Sequence, residues 1–326
     1  MATLAKIEAA AERLKGHARK TPLLSSPFLD EIAGRRVFVK PECLQHTGSF
    51  KFRGGWAAVS ALSEAEQKRG VIAFSSGNHA QGIAAAAKAH DAPAVIIMPK
   101  DAPALKINNT RALGAEVVLY DRVGGESREA LGAEIAEARG LSLIPPFEHP
   151  EVIAGHGTVG LEIAEQAREH DISGADVVVC CGGGGLASGI ALALEDRAPD
   201  MQLRTAEPTG FDDVARSLAA NEILSNPHTT GSICDAILTP QPGDSPFAIL
   251  NRLAGSGLVV DDTDALRAMA QAFLRLKLVT EPGGAVSLAA ALFQPEAFDT
   301  DSVIAVVTGG NVDPATFQHA LSHAET

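Results

Sequence analysis

Short apolar runs alternate with alanine-rich stretches of helical periodicity along most of the chain. Residues 37–39, 71–74, 94–98, 116–120, 141–144, 177–180, 202–206 and 303–307 read as strands. Between them, residues 81–90, 106–113, 127–138, 159–170, 189–195 and 263–276 carry apolar side chains at helical spacing. Leu4, Ile7, Ala10, Ala11 and Leu14 predict one more helix at the start. Strand followed by helix followed by strand is the pattern of α/β proteins built on parallel sheets. One stretch breaks the alternation: residues 221–257, rich in Pro, Ser, Gly and Asn, predict a long irregular excursion with room for a short helix. No internal repeat is visible.

At 326 residues the chain has the length of two ordinary domains. Forty acidic against 27 basic side chains leave a net charge of −13, and no basic run is interleaved with aromatics, so nucleic acid and anionic membrane surfaces are poor partners. Small metabolites fit better. Residues 1–20 lack the continuous apolar core of a signal peptide, and no segment is long and apolar enough to cross a bilayer. Cys43, Cys180, Cys181 and Cys234 form no Cys-x-x-Cys pair, which predicts free thiols and a reducing, cytoplasmic location.

Three places where this pattern is punctuated carry chemistry. Lys51 follows a Gly48-Ser49 turn and stands between Phe50 and Phe52 at the point where helical spacing begins. Flanking rings and the positive end of a helix dipole both disfavour its charged form, and a neutral amine attacks carbonyls, so Lys51 is a candidate Schiff-base lysine. The bland alternative is a lysine whose stem covers the rings while its charge stays in water. After the strand at 177–180 come Gly182, Gly183, Gly184 and Gly185, then Leu186 and a helix. Successive backbone N–H groups at a helix N-terminus make an anion cup, at an entropic cost that a plain connecting turn would not require. The absence of a Gly-x-x-x-x-Gly-Lys-Ser/Thr spacing argues against a nucleotide site of the Walker type. The third is Ser75-Ser76-Gly77-Asn78-His79, a polar cluster at the end of the strand at 71–74, where open α/β sheets bind ligands. Helix capping accounts for one of these residues, not for the cluster.

Taken together, these motifs resemble the fold-type II pyridoxal-phosphate enzymes, in the branch of threonine/serine dehydratases and serine racemases. The resemblance runs nearly end to end. It includes Lys40-Pro41-Glu42, Gln45, Thr47-Gly48-Ser49-Phe50-Lys51, Arg53-Gly54, Ser75 to Gly82, Ala154-Gly155 with Gly157-Thr158, the glycine cup, Glu207-Pro208, and Thr308-Gly309-Gly310-Asn311. It implies a tryptophan synthase β-like architecture of two open parallel-sheet α/β domains: a large cofactor-binding domain of residues 1–65 and 149–326, and a small mobile domain of residues 66–148. It further implies a homodimer and no C-terminal regulatory domain.

The resemblance also assigns roles. Lys51 matches the lysine that binds pyridoxal 5'-phosphate and then removes the substrate α-proton, with Phe50 beside it. Gly182 to Gly185 and Leu186 match the phosphate cup, Asn78 the residue at the cofactor's ring oxygen, and Thr308 the hydroxyl facing its ring nitrogen. Ser75, Ser76, Asn78 and His79 match the turn that binds the substrate carboxylate. Ser76 also matches the second acid/base of the racemases, which permits racemisation without requiring it. Glu207, Phe211 through its carbonyl, and Asp213 match a site for a divalent cation, Mg, Mn or Ca; read blandly, they form a solvated acidic loop. The implied reaction is β-elimination from a β-hydroxy amino acid, first L-threonine or L-serine, giving a 2-oxo acid and ammonia. Serine racemisation and β-hydroxyaspartate dehydration are the alternatives, and a non-catalytic cofactor-binding protein is the alternative outside enzymes. Two features bear on that choice. His156 stands where the family commonly has Gln, and Arg128 matches an arginine near the substrate entrance; either could meet a second substrate carboxylate. A buried, hydrogen-bonded histidine and a solvated surface arginine are the plain readings.

Overall fold

The computed structural model describes residues 1–324 apart from Ser76, Pro103, Arg122 and Val123. Ten strands are present among them: β1 (Leu24–Ser25), β2 (Arg36–Pro41), β3 (Val71–Phe74), β4 (Ala94–Pro99), β5 (Glu116–Tyr120), β6 (Ser142–Leu143), β7 (Asp176–Cys180), β8 (Gln202–Pro208), β9 (Leu258–Val260) and β10 (Ser302–Val307). They form two sheets. Strands β5-β4-β3-β6 make a wholly parallel one, and β1-β2-β10-β7-β8-β9 make a mixed one in which only β1 runs antiparallel, against β2. Both sheets are covered by helices, and the central strands β7 and β10 are buried along their whole length, as expected where a sheet is packed on both faces.

Eight of the ten strands sit within a residue or two of where the apolar runs place them; the short edge strands β1 and β9, of two and three residues, were not expected, and one helix is far longer than its periodicity suggests. Pro150–Glu169 is a single 20-residue helix. Towards its middle it carries Gly155, Gly157 and Gly160, which blur the apolar stripe. A Cβ at Gly155 would lie 2.4 Å from the Arg53 carbonyl oxygen, and one at Gly157 would lie 2.6 Å from Ile7 and 2.8 Å from the Gly189 carbonyl oxygen. Glycine is therefore needed for this helix to touch both the Lys51–Ser60 and the Gly185–Arg197 helices. The excursion at 221–257 contains the helix Asp244–Leu253 and a 3-10 turn at Asp235–Ile237.

A buried ionic network anchors the start of the Lys51–Ser60 helix. Arg53 is 1% exposed and donates to Glu42 at 2.7 and 2.8 Å and to Glu162 at 2.7 and 2.9 Å. Lys40, also sealed from solvent, donates to Glu162 at 2.6 Å and to Gln166 at 2.8 Å. Burial opposes ionisation of Glu42, but the guanidinium beside it holds its carboxyl below the usual range. Strand β2, the Lys51 helix and the long glycine-bearing helix are thereby tied together one turn from Lys51.

Candidate active site

A cavity of about 250 Å³ opens between the two sheets. The larger sheet's side supplies Phe50, Lys51, Gly182 to Leu186, Glu281, Thr308 and Asn311; the smaller supplies Phe74, Ser75, Asn78, His79 and, from the helices after β4 and β5, Lys106 and Arg128. This follows from topology: parallel strands aim their C-terminal ends one way, and β3, β7 and β10 all end at this cleft.

Lys51 opens its helix directly after a turn in which Thr47 adopts φ 61° and Gly48 φ 74°. Its ammonium donates to the Pro146 carbonyl oxygen at 2.8 Å and lies 5.0 Å from the Phe50 ring centre. Among the described residues no carboxylate pairs with it, and burial pushes its pKa down to about 8. A usable fraction of the amine is thus neutral near physiological pH.

Opposite it, the glycine cup runs from β7 into the Gly185–Arg197 helix. Gly184 adopts φ 87°, which disfavours any side chain there, and a Cβ at Gly183 would strike the Phe147 ring at 2.4 Å. The first turn of that helix directs N–H groups without intrahelical partners into the pocket. Cup, lysine and cavity together suit a phosphate-bearing aldehyde, so the residues present fit pyridoxal phosphate.

Asn78 and Thr308 reach the same pocket from different sheets. Thr308 follows β10, and its carbonyl oxygen accepts from the Phe50 N–H at 3.1 Å, tying it to the residue before Lys51. Ser75 also lines the wall; its hydroxyl accepts from the Gly77 N–H at 3.2 Å and so shapes the turn. His79 donates from Nε2 to the Ile144 carbonyl oxygen at 2.9 Å, and burial with Lys51 nearby depresses its pKa to about 3. It is a neutral imidazole. Ser76 lies outside the described residues.

Arg128 borders the cavity, 45% exposed, its guanidinium 5.2 Å from the Phe74 ring centre and 2.7 Å from Glu129. His156 does not border it. That ring is fully buried, packed edge-on at 4.7 Å against Phe50, and burial holds it well below its usual pKa. Lys106 and Asp235 pair at 3.2 Å at the rim, and Glu281 sits in the inner wall, its carboxyl pushed up to about 7 by burial. Sequence reasoning gave no role to Lys106, Asp235, Glu281, Asn311 or Phe147. Only Asn311 carried a signal, as the last residue of the Thr308-Gly309-Gly310-Asn311 motif.

Glu207, Phe211 and Asp213 come together at the end of β8, all buried and away from the cavity wall. Glu207 accepts from the Val214 and Ala215 N–H groups at 2.9 and 2.7 Å, while Asp213 Oδ1 accepts from Asn226 and Oδ2 is sealed without a hydrogen-bond partner. Burial and the neighbouring Asp213 push the Glu207 carboxyl well up, and burial pushes Asp213 up to about 6. Among the described residues no group of three or more His, Cys, Asp or Glu side chains could hold a metal ion. Two carboxylates are present here, and any third ligand would have to come from the backbone.

A fold of two α/β sheets with a lysine, a glycine cup and a cavity between them defines a pyridoxal-phosphate site, and comparison with known proteins agrees. Residues 14–309 match the family model described as pyridoxal-phosphate dependent enzyme, and the chain belongs to that family. It is 44% identical over 304 residues to an L-threo-3-hydroxyaspartate ammonia-lyase of a Pseudomonas species, covering 93% of each chain. It is 40% identical over 316 residues to a serine racemase of Schizosaccharomyces pombe, covering 97% of this chain and 96% of that one. The solved structure of maize serine racemase superposes with a TM-score of 0.91 at 37% identity, over 99% of this chain and 98% of that one. No helix among the described residues is long and apolar enough to cross a membrane.

Proposed function

We propose that this enzyme eliminates water from a β-hydroxy amino acid. The α-proton and the β-hydroxyl leave, and hydrolysis of the resulting imine returns one water and gives a 2-oxo acid and ammonia. The observation that carries the reading is Lys51, an amine with no carboxylate partner among the described residues and a depressed pKa, lining the same cavity as the glycine cup. In this reading Lys51 holds the cofactor, Gly182 to Leu186 bind its phosphate, Asn78 meets its ring oxygen, Thr308 its ring nitrogen, and Phe50 flanks it. Bound pyridoxal phosphate supplies an aldehyde for the substrate amine and a ring that withdraws electrons from the α-carbon. The freed Lys51 amine takes the α-proton, and Ser75 with the Asn78-His79 turn binds the α-carboxylate through N–H and hydroxyl groups. The neutral His79 ring spends its one N–H on the Ile144 carbonyl, so it is the backbone N–H of His79, in the first turn of its helix, that serves the carboxylate. Ser76 is the candidate second base for racemisation.

The sequence alone favours L-threonine or L-serine; the pocket's side chains favour a substrate with a second carboxylate. Arg128 and Lys106 put two cations on the wall, and Arg128 sits at the first position of the Arg128–Arg139 helix, where the dipole disfavours a positive charge. The 44% identical relative named for L-threo-3-hydroxyaspartate supports the same choice.

The reading extends to four further features. A divalent cation, Mg, Mn or Ca, is held by Glu207, the Phe211 carbonyl and Asp213, supported by the partnerless Asp213 oxygen. Residues 66–148 act as a mobile unit closing on residues 1–65 and 149–326. The chain acts as a homodimer, supported by exposed Phe28 and Leu274 on neighbouring elements, and works in the cytoplasm, supported by four free cysteines.

The test is a panel of L-serine, L-threonine, D-serine and the 3-hydroxyaspartate stereoisomers given to cofactor-loaded protein, following 2-oxo acid, ammonia and product chirality. We expect a 3-hydroxyaspartate to be turned over best. Replacing Arg128 by Ala should raise its KM about ten- to hundredfold while moving that of L-serine only a few-fold. Faster turnover of serine or threonine would reject the dicarboxylate preference and keep the elimination. No 2-oxo acid from any substrate would reject the lyase.

A further inference from the structure

Three side chains in the pocket wall form a relay that the proposed reaction does not use directly. Asn78 Nδ2 donates to Glu281 Oε1 at 2.6 Å. Asn78 Oδ1 accepts from Asn311 Nδ2 at 2.7 Å, and that amide also donates to the Thr47 carbonyl oxygen at 2.8 Å, in the turn that leads to Lys51. An asparagine amide has two N–H donors and one oxygen, and it can flip end for end unless its partners distinguish them. Here they do. The Thr47 carbonyl fixes which end of the Asn311 amide carries nitrogen, that nitrogen reaches the Asn78 oxygen, and Glu281, whenever it is ionised, only accepts. One Asn78 N–H is left over, on a side chain that lines the cavity.

Glu281 is itself held in place. It lies 5% exposed immediately before the Pro282–Phe293 helix, its N–H donates to the Gly309 carbonyl oxygen at 3.0 Å, and a Cβ on Gly309 would fall on its carboxylate. The charged groups around it are Asp235, which opposes its ionisation, and Lys106, which favours it; the Cys43 thiol is a further neighbour. Burying a carboxyl here costs stability that only its interactions can offset, and among the described residues its one side-chain hydrogen bond goes to Asn78.

We propose that Glu281 and Asn311 are positioning residues that lock the Asn78 amide in one orientation, so that its remaining N–H is presented to the ring oxygen of the cofactor. This rests on the cofactor reading above. A wrongly flipped Asn78 would offer its oxygen to that oxygen, replacing an attraction by a repulsion. Because Asn311 also holds the Thr47 carbonyl, the same relay registers the Asn78 amide against the turn that sets Lys51.

The test measures cofactor affinity, by titrating apo-protein with pyridoxal phosphate and following absorbance and protein fluorescence, without substrate. Glu281→Ala and Asn311→Ala should each weaken binding about tenfold. Glu281→Gln, whose amide oxygen still accepts the Asn78 N–H, should stay within about threefold. In an Asn78→Ala background the further change Glu281→Ala should add nothing, because the residue it acts through is gone. Additive losses, or a Glu281→Gln variant as weak as Glu281→Ala, would overturn the proposal by making Glu281 a merely structural group. If Glu281→Ala does not fold, Asn311→Ala with and without Asn78→Ala decides by the same rule. Failure of the unaltered protein to bind pyridoxal phosphate would reject the cofactor reading instead.

Discussion

Lys51 weakens the folded protein as long as its amine carries a charge. Its pKa falls from 10.5 in the open chain to about 8 in the fold, so the unfolded chain holds the proton more tightly. Stability therefore rises as pH climbs from about 8 to 10.5, and below 8 the whole penalty applies, up to about 3 kcal/mol at 1.36 kcal/mol per unit. Replacing Lys51 by Met should make the cofactor-free protein more resistant to urea at pH 7 by a good part of that amount. The gain should shrink near pH 10, and turnover should be lost entirely. A Met variant less stable at pH 7 would mean that Pro146 and Phe50 compensate the ammonium fully. Lysine was readable here because its neighbours in sequence are also its neighbours in space. His156 was not: nothing local says that its ring is sealed behind Phe50 rather than facing the cavity.

At the level of elements, glycine has opposite meanings in two helices. In Pro150–Glu169, a methyl at Gly155 meets the Arg53 carbonyl at 2.4 Å, whereas in Arg128–Arg139 a methyl at Gly132 meets the tip of Ile97 at 3.4 Å and the edge of the Phe74 ring at 3.5 Å, both ordinary or nearly ordinary contacts. Denaturant titration should show Gly155→Ala destabilising by about 3 kcal/mol, contact strain outweighing helix propensity, and Gly132→Ala stabilising by about 0.5–1 kcal/mol. The same contrast explains what could be read beforehand. Strands such as β3 and β5 were legible because their apolar runs are short and bounded. The Pro282–Phe293 helix, buried on every side, shows no stripe, and the first half of the 150–169 helix shows glycines instead of one. The junction between β8 and the Asp213–Ala220 helix yields a third test. If Glu207 and Asp213 hold a cation, a chelator should lower the melting temperature by several degrees, and Mg²⁺ or Ca²⁺ should restore it. Asp213→Asn should remove that response; a chelator without effect on the unaltered protein would reject the metal.

Across the whole molecule, the order of strands was the least legible feature. Strand β10 pairs with both β2 and β7, so residues near each end of the chain meet at the centre of the larger sheet. No local pattern encodes such pairing, since each strand is equally apolar on both faces. The smaller sheet, by contrast, is completed within residues 71–143, and only β6 passes over its sequence neighbour to pair with β3. The candidate site depends on both sheets, because Lys51 and the cup come from one and Ser75, Asn78 and His79 from the other. Its motifs could be found separately, but their convergence required the fold.

The Lys40, Glu42, Arg53 and Glu162 network also has a historical consequence. Each of the four is matched to charges that solvent barely reaches, so any one replacement strands its partners at a cost of about 3–5 kcal/mol. A lineage can leave this arrangement only by changing several positions together, while the surface around it drifts freely. Such a network works as a ratchet: once assembled two residues from Lys51, it can be left only by several changes made together.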